Sequence, residues 1–230
     1  MPDLELFFDP VCPFCWQTSK FVRQVQRLEG LEVGYRFISL RFLNEPLGYE
    51  GRPRHYPEVH RQGTRLLRVA AATREEHGDA AVGELYRHMG EHLWEVDPPE
   101  GEGFEAILAF QAPGPDLEAI LEAAGLPLEL AEAADREHHD ELVRAETQEA
   151  LERAGEDVGT PVLSFRPPDG PAFFGPVISE LPSDEDAVEL YRSIAALARW
   201  PGFAELKRSL RTFPDVEIMR GLRERTTTAS

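Results

Sequence analysis

The spacing of apolar residues changes character along the chain, and each change predicts an element. Leu4-Glu5-Leu6-Phe7-Phe8 is a dense apolar run that reads as a buried strand, broken by Asp9-Pro10. From Cys12 to about Leu28 the period is helical, with Phe21, Val22, Val25 and Leu28 recurring and Gly30 as the stop signal. Leu31 to Leu40 alternates through Val33, Tyr35 and Phe37, with Ile38 irregular, and predicts a second strand. Strand, helix, strand in that order implies a right-handed parallel crossover. Asn44 to Pro57 is rich in Gly, Pro and charge and reads as a loop. Glu58 to Ala154 is helical in pattern, including a core stripe at Leu66, Leu67, Val69 and Ala70. Gly and Pro breaks divide it into about four or five helices.

Strand signals then return. Pro161 to Phe165 and Ala172-Phe173-Phe174 flank the turn Pro167-Pro168-Asp169-Gly170 and predict a hairpin ended by Gly175-Pro176. Ser183 precedes the acidic run Asp184-Glu185-Asp186, a helix start, and that helix should stop at Pro201-Gly202. Phe203 to Arg211 predicts a last short helix, and Arg223 to Ser230 a polar, frayed end.

Composition narrows the function. The chain has 230 residues and a formal net charge of −18. Such a surface repels nucleic acid and anionic membranes alike. Nothing approaches ~18 consecutive apolar residues, so no transmembrane helix is expected. The start, Met1-Pro2-Asp3-Leu4-Glu5, lacks the basic region of a secretory signal, so a cytoplasmic protein is expected.

Both cysteines of the chain, Cys12 and Cys15, sit in one C-x-x-C. A structural zinc site usually needs four ligands and no second C-x-x-C exists. A disulfide closing so small a loop stabilises little. Redox chemistry remains. Cys12 at a helix start meets unpaired N–H groups and the positive dipole end, which favour the attacking thiolate. Cys15, one turn on, is placed to resolve a mixed disulfide. Pro13 suits the first helical turn, and Phe14 and Trp16 give the site an apolar aromatic rim.

The element order βαβ, helices, ββα matches an α/β thioredoxin fold interrupted by an all-helical insertion. The expected boundaries are residues 1–44 for the first half, 45–154 for the insertion, and 155–230 for the second half with the C-terminal helix. In such a fold the segment Gly159-Thr160-Pro161 faces the C-x-x-C with a cis proline.

Beyond these motifs, Phe8-Asp9-Pro10-Val11-Cys12-Pro13-Phe14-Cys15-Trp16 resembles the active-site segment of DsbA-like oxidoreductases of the FrnE type. Ile38-Ser39-Leu40, Leu43-Asn44-Glu45, Gly155 to Pro161, Phe173 to Val177 and Phe203 to Arg208 are similar to the actinobacterial mycothiol-dependent nitroreductase family. That resemblance implies a cytoplasmic reductase of disulfides or small electrophiles such as nitroaromatics. Its dithiol would be recharged by mycothiol as co-substrate, with a mycoredoxin or thioredoxin as a further partner and no tightly bound cofactor. Cys12 and Cys15 then carry over as nucleophile and resolver, Thr160-Pro161 as the substrate-facing loop, and Asn44 as a substrate contact. This chain has Phe14 where the family usually has Trp, and His60 near where relatives often place Tyr; both positions fall at the pocket. The alternative is a DsbA-like oxidase or isomerase of protein thiols, which the missing signal peptide disfavours.

Other candidates weigh less. His88 and His92 have metal-binding i, i+4 spacing but lack the H-E-x-x-H context, and read as surface histidines. His138-His139 lies among Arg136, Glu137, Asp140 and Glu141, and reads as a solvated helix face. Glu156 and Asp157 read as loop residues before the proline segment. No metal site is expected.

Overall fold

A computed structural model describes residues 1–208 and 212–221. Strand β1 (Leu4–Phe8) leads through the C-x-x-C into α1 (Pro13–Glu29), and β2 (Val33–Phe37) returns parallel to β1. Gly30 ends α1 at φ 67°, a left-handed backbone that glycine adopts without steric cost. After the helices, β3 (Val162–Phe165) runs antiparallel to β1 and β4 (Ala172–Phe174) pairs with β3. The sheet order is β2-β1-β3-β4. The second strand is shorter than the alternating pattern suggested. It ends at Phe37, and Ser39 caps a short helix, α2 (Leu40–Asn44), that the pattern did not predict.

Five α-helices occupy the middle: α3 (Tyr56–His77), α4 (Asp79–Trp94), α5 (Gly103–Gln111), α6 (Leu117–Ala123) and α7 (Asp140–Ala154). Two 3-10 segments, Leu128–Asp135 and Glu137–His139, separate α6 from α7. The last long helix is α8 (Asp184–Ala198), capped by Ser183 as its sequence implies. Residues 203–208 are irregular rather than helical, and 209–211 lie outside the described residues, as does the polar end from Arg223. Within 203–208, Phe203 packs on Phe173 at 5.8 Å while Leu206 is exposed. So short a segment gains too little packing to offset helix nucleation.

Alternation along the strands divides the core. Leu4, Leu6, Phe8, Tyr35, Phe37, Leu163 and Phe165 join the side chains of α3, α4, α5 and α6 in one continuous cluster. The opposite face, through Phe7 and Val162, packs on Ala150 of α7 with Ile38 and Ala172. Helix α7 therefore covers the sheet although it lies within 45–154. Phe21 and Val25 of α1 pack against Ala187 of α8. Among the described residues no helix is long and apolar enough to cross a membrane.

Candidate active site

The turn after β1 places both sulfurs. Cys12 caps α1: its N–H donates to the Asp9 carbonyl at 3.1 Å, and its Sγ accepts from the Cys15 backbone N–H at 3.5 Å. Pro13 follows inside the first turn, where a missing N–H costs nothing. Cys12 is 7% exposed and Cys15 is fully enclosed. Both are free thiols.

The segment before β3 closes over them. The Thr160–Pro161 bond is cis, as its position suggested. The Cys12 thiol lies 3.6 Å from the Thr160 carbonyl, and the Cys15 Sγ lies 2.5 Å from the Thr160 hydroxyl. Cys15 also points at the Phe7 carbonyl, 3.9 Å away. Burial pushes the Cys15 thiol well above its ordinary pKa. Its hydrogen bond to Cys12 and the charge of that sulfur push the same way, and the Thr160 hydroxyl opposes them. A group so placed keeps its proton until Cys12 has been consumed.

Three residues behave otherwise than their chain positions suggested. Trp16 is 3% exposed and is no rim residue. Its ring enters the seam with the helical domain, edge-on to Tyr86 at 6.0 Å, and its indole N–H donates to Glu95 at 2.7 Å. His60 lies in a helix, as the pattern from Glu58 implies, but it is a buried position in α3. Its Nδ1 shares a 3.0 Å hydrogen bond with the Tyr49 hydroxyl, and its ring packs on Tyr56 at 5.0 Å. Burial, with Arg52 adding, lowers its pKa to about 4, so its imidazole is neutral at physiological pH. Asn44 ends α2 and donates from Nδ2 to the Leu40 carbonyl at 2.7 Å, leaving its side-chain oxygen as the free group. Phe14 is half-buried beside the cysteines and packs on the main core.

Sequence reasoning missed Asp9, which reads there as a strand breaker. It is fully buried. One carboxylate oxygen accepts from Val11 N–H at 3.1 Å and the other from Leu40 N–H at 2.8 Å, so it ties the cysteine loop to the start of α2. Burial raises its pKa to about 7 against these two hydrogen bonds. The acid directly before Pro10 in the cysteine turn was the available signal. The insert's hold on this loop was also missed: Trp94 of α4 donates its indole N–H to the Pro10 carbonyl at 2.9 Å.

An aromatic wall runs from α3 to α5 and on to Phe213. Tyr56, within electrostatic reach of Cys12, meets Phe104 edge-on at 6.4 Å, and Phe104 stacks on Phe213 at 5.2 Å.

The chain is similar to known proteins in sequence and in fold. The uncharacterized protein Rv2286c of Mycobacterium tuberculosis (strain ATCC 25618 / H37Rv) is 28% identical over 224 residues, covering 95% of this chain and 86% of that protein. A solved structure described as a protein disulfide isomerase from Nitrosomonas europaea superposes with a TM-score of 0.53 at 14% identity, over 85% of this chain and 98% of that one. That likeness speaks to the fold, which is the DsbA-like form of the thioredoxin fold. A family model described as Rv2466c-like, mycothiol-dependent nitroreductase Rv2466c, matches residues 11–208. The chain therefore belongs to the Rv2466c-like family and is a redox enzyme, a thiol–disulfide oxidoreductase.

Proposed function

We propose that the enzyme reduces disulfides or small aromatic electrophiles through the Cys12–Cys15 dithiol, with mycothiol as the reductant. The observation that carries this reading is the unequal placement of the two sulfurs. Cys12 keeps a small exposed fraction at a helix N-terminus, and Cys15 is wholly enclosed. The Cys12 thiolate attacks one sulfur of a substrate disulfide, forming a mixed disulfide and releasing the other half as a thiolate. Cys15 then loses its proton and attacks the Cys12 sulfur. The second half of the substrate leaves as a thiolate, and a Cys12–Cys15 disulfide remains. Two mycothiol molecules return the two electrons and leave as their own disulfide. With a nitroaromatic, the same two electrons and two protons give the nitroso compound and water.

The family supports mycothiol, and the aromatic wall of Tyr49, His60, Tyr56, Phe104 and Phe213 supports a planar electrophile. Neutral His60 offers a polar group at that wall, and the family resemblance adds Asn44, whose side-chain oxygen is free, as a proposed substrate contact. A reductase of this kind belongs in a reducing cytoplasm, where glutathione-like pools keep thiols reduced. A mycoredoxin or thioredoxin could replace mycothiol as donor.

Turnover of a nitroaromatic and of a small disulfide should be measured with reduced mycothiol, a mycoredoxin or thioredoxin as alternative donors. Mycothiol-driven turnover well above the rate of the thiol alone is expected. Activity only as an oxidant of protein dithiols would overturn the reductase reading. Unchanged kinetics in Asn44→Ala would remove Asn44 from the site.

A further inference from the structure

Helix α3 is stitched to the stretch that leads into α7. Arg65 pairs with Asp135 at 2.9 Å, and Arg68 pairs with Asp140 at 2.6 Å through a fork that also engages the second carboxylate oxygen at 2.8 Å. These positions, with Ala72 buried between, continue along one helical face to Glu75. At Glu75 the chemistry changes. There α3 offers a carboxylate in place of an arginine, and facing it are not aspartates but two consecutive histidines on the 3-10 turn Glu137–His139.

His139 is buried, contrary to the solvated face expected of it, and its Nε2 stands 3.8 Å from a Glu75 oxygen. The rings of His138 and His139 stand nearly perpendicular, 4.8 Å apart. Among the described residues neither imidazole makes a hydrogen bond to the protein, so their nitrogens remain available. One donor atom from each of Glu75, His138 and His139 lies within 4.8 Å of the other two.

We propose that Glu75, His138 and His139 bind a divalent first-row transition cation of the zinc type, which clasps the 3-10 turn to the end of α3. The donor set is two imidazoles and one carboxylate, the borderline set that zinc takes, with water as the fourth ligand. Tetrahedral zinc with bonds of about 2.0–2.2 Å needs its ligand atoms about 3.4 Å apart. The exposed side chains of Glu75 and His138 can rotate to close the remaining gap without backbone movement. The field also suits a cation. Glu137 adjoins the pair in the chain, Asp140 beside it is held by Arg68, and Arg74, the cation that bears on His139, is committed to Glu146 at 2.8 Å. The net charge of −18 adds to the attraction.

The structural consequence is specific. The turn carrying the histidines feeds α7, and α7 holds the second strand: Glu146 accepts from Phe37 N–H at 2.8 Å and Thr147 from Ser39 N–H at 3.0 Å. A clasp at Glu75 would therefore stiffen the joint between insert and sheet.

The test is zinc titration of the full chain carrying Cys12→Ser and Cys15→Ser, which removes the thiolates as competing ligands. The readouts are chelator competition and thermal unfolding, with visible cobalt bands as a ligand-field signature. One tight equivalent is expected, with a zinc-dependent rise in Tm. Glu75→Gln and His138→Ala, both exposed, should each weaken it at least about tenfold, a change of about 1.4 kcal/mol, and abolish the cobalt bands. His77→Ala, on the same helix end, should leave the affinity unchanged. Sub-stoichiometric binding, equal affinity in Glu75→Gln and His138→Ala, or equal weakening by His77→Ala would each overturn the site.

Discussion

The cysteine turn is gripped from two sides by different means. On the sheet side the grip is polar and made largely by backbone: Thr160 O on Cys12, Phe7 O near Cys15, and the Asp9 carboxylate on two N–H groups. On the insert side it is made mostly by volume. Tyr86 stacks on Phe8 at 3.9 Å, Trp16 is wedged against α4, and Trp94, Glu95 and the Gly83 carbonyl add a few hydrogen bonds to the turn and to α1. Sheet-side contacts set charge and proton placement on sulfur, whereas insert-side contacts set how rigidly the turn is seated. Substitutions on the two sides should therefore fail differently, one in chemistry and the other in stability.

The largest expected effect is on the sheet side. Cys12→Ser should abolish turnover with little change in Tm. Cys15→Ser should leave a mixed disulfide on Cys12, visible as a thiol adduct in intact-protein mass spectrometry. An adduct on Cys15 in Cys12→Ser would invert the assigned roles and, with them, the reading of burial as the mark of the resolver.

Next comes Asp9, which belongs to both sides. Its carboxylate tethers α2, and an added Cβ at Gly63 of α3 would lie 2.5 Å from its Oδ1, so the insert is what encloses it. Burial raises its pKa from 3.8 to about 7, so the folded chain holds this proton more tightly than the unfolded chain does. Stability from this group is full below about pH 4 and is lost as pH rises towards 7. The ceiling is about 4 kcal/mol for about three units at 1.36 kcal/mol each. Asp9→Asn should flatten the pH dependence of stability across that window, measured by denaturant unfolding from pH 4.5 to 8. The same slope in Asp9→Asn and native protein would show that the carboxyl is not buried as described.

Much of the sheet side was legible because its signals are local. The dense run at Leu4–Phe8, the C-x-x-C with Pro13, the Pro-Pro-Asp-Gly turn and the Ser183 cap each act within a few residues. The short helix α2 was not legible, because its start is held by Asp9, which is 31 residues away from Leu40. His60 falls in the helical stretch that begins at Glu58, but nothing nearby in sequence announces that Tyr49 and Tyr56 enclose it. Trp16 read as rim because its neighbour is Cys15. On the helix it lies about 100° round from that cysteine, over the stripe shared with Lys20 and Arg23, which approach its ring at 5.7 and 5.5 Å. The placement of α7 on the sheet rests on Glu146 and Ala150 meeting β2 and the Phe7 face, a long-range match that helical periodicity does not encode.

The smallest of these effects is also the cleanest test of the insert side. Gly90 sits in the interior of α4, where replacing glycine by alanine ordinarily stabilises a helix by roughly 0.8–1 kcal/mol. Here a Cβ would fall well inside contact distance of the six-membered ring of Trp16, and that ring has no free direction to retreat. Tyr86 borders it, Lys20 and Arg23 approach it, and its N–H is held by Glu95. Overpacking of a filled core costs typically about 1–3 kcal/mol, and a clash with a ring held on all sides belongs at the upper end, so Gly90→Ala should destabilise the protein by up to about 2 kcal/mol net. The cysteine chemistry should persist: alkylation of Cys12 and adduct formation in Cys15→Ser should be unchanged while Tm falls. A stabilised Gly90→Ala protein would mean that Trp16 is free to move and that the seam is not held by volume. A protein of unchanged Tm but altered Cys12 reactivity would mean that the insert acts on the sulfur itself, and the division between the two grips would have to be redrawn.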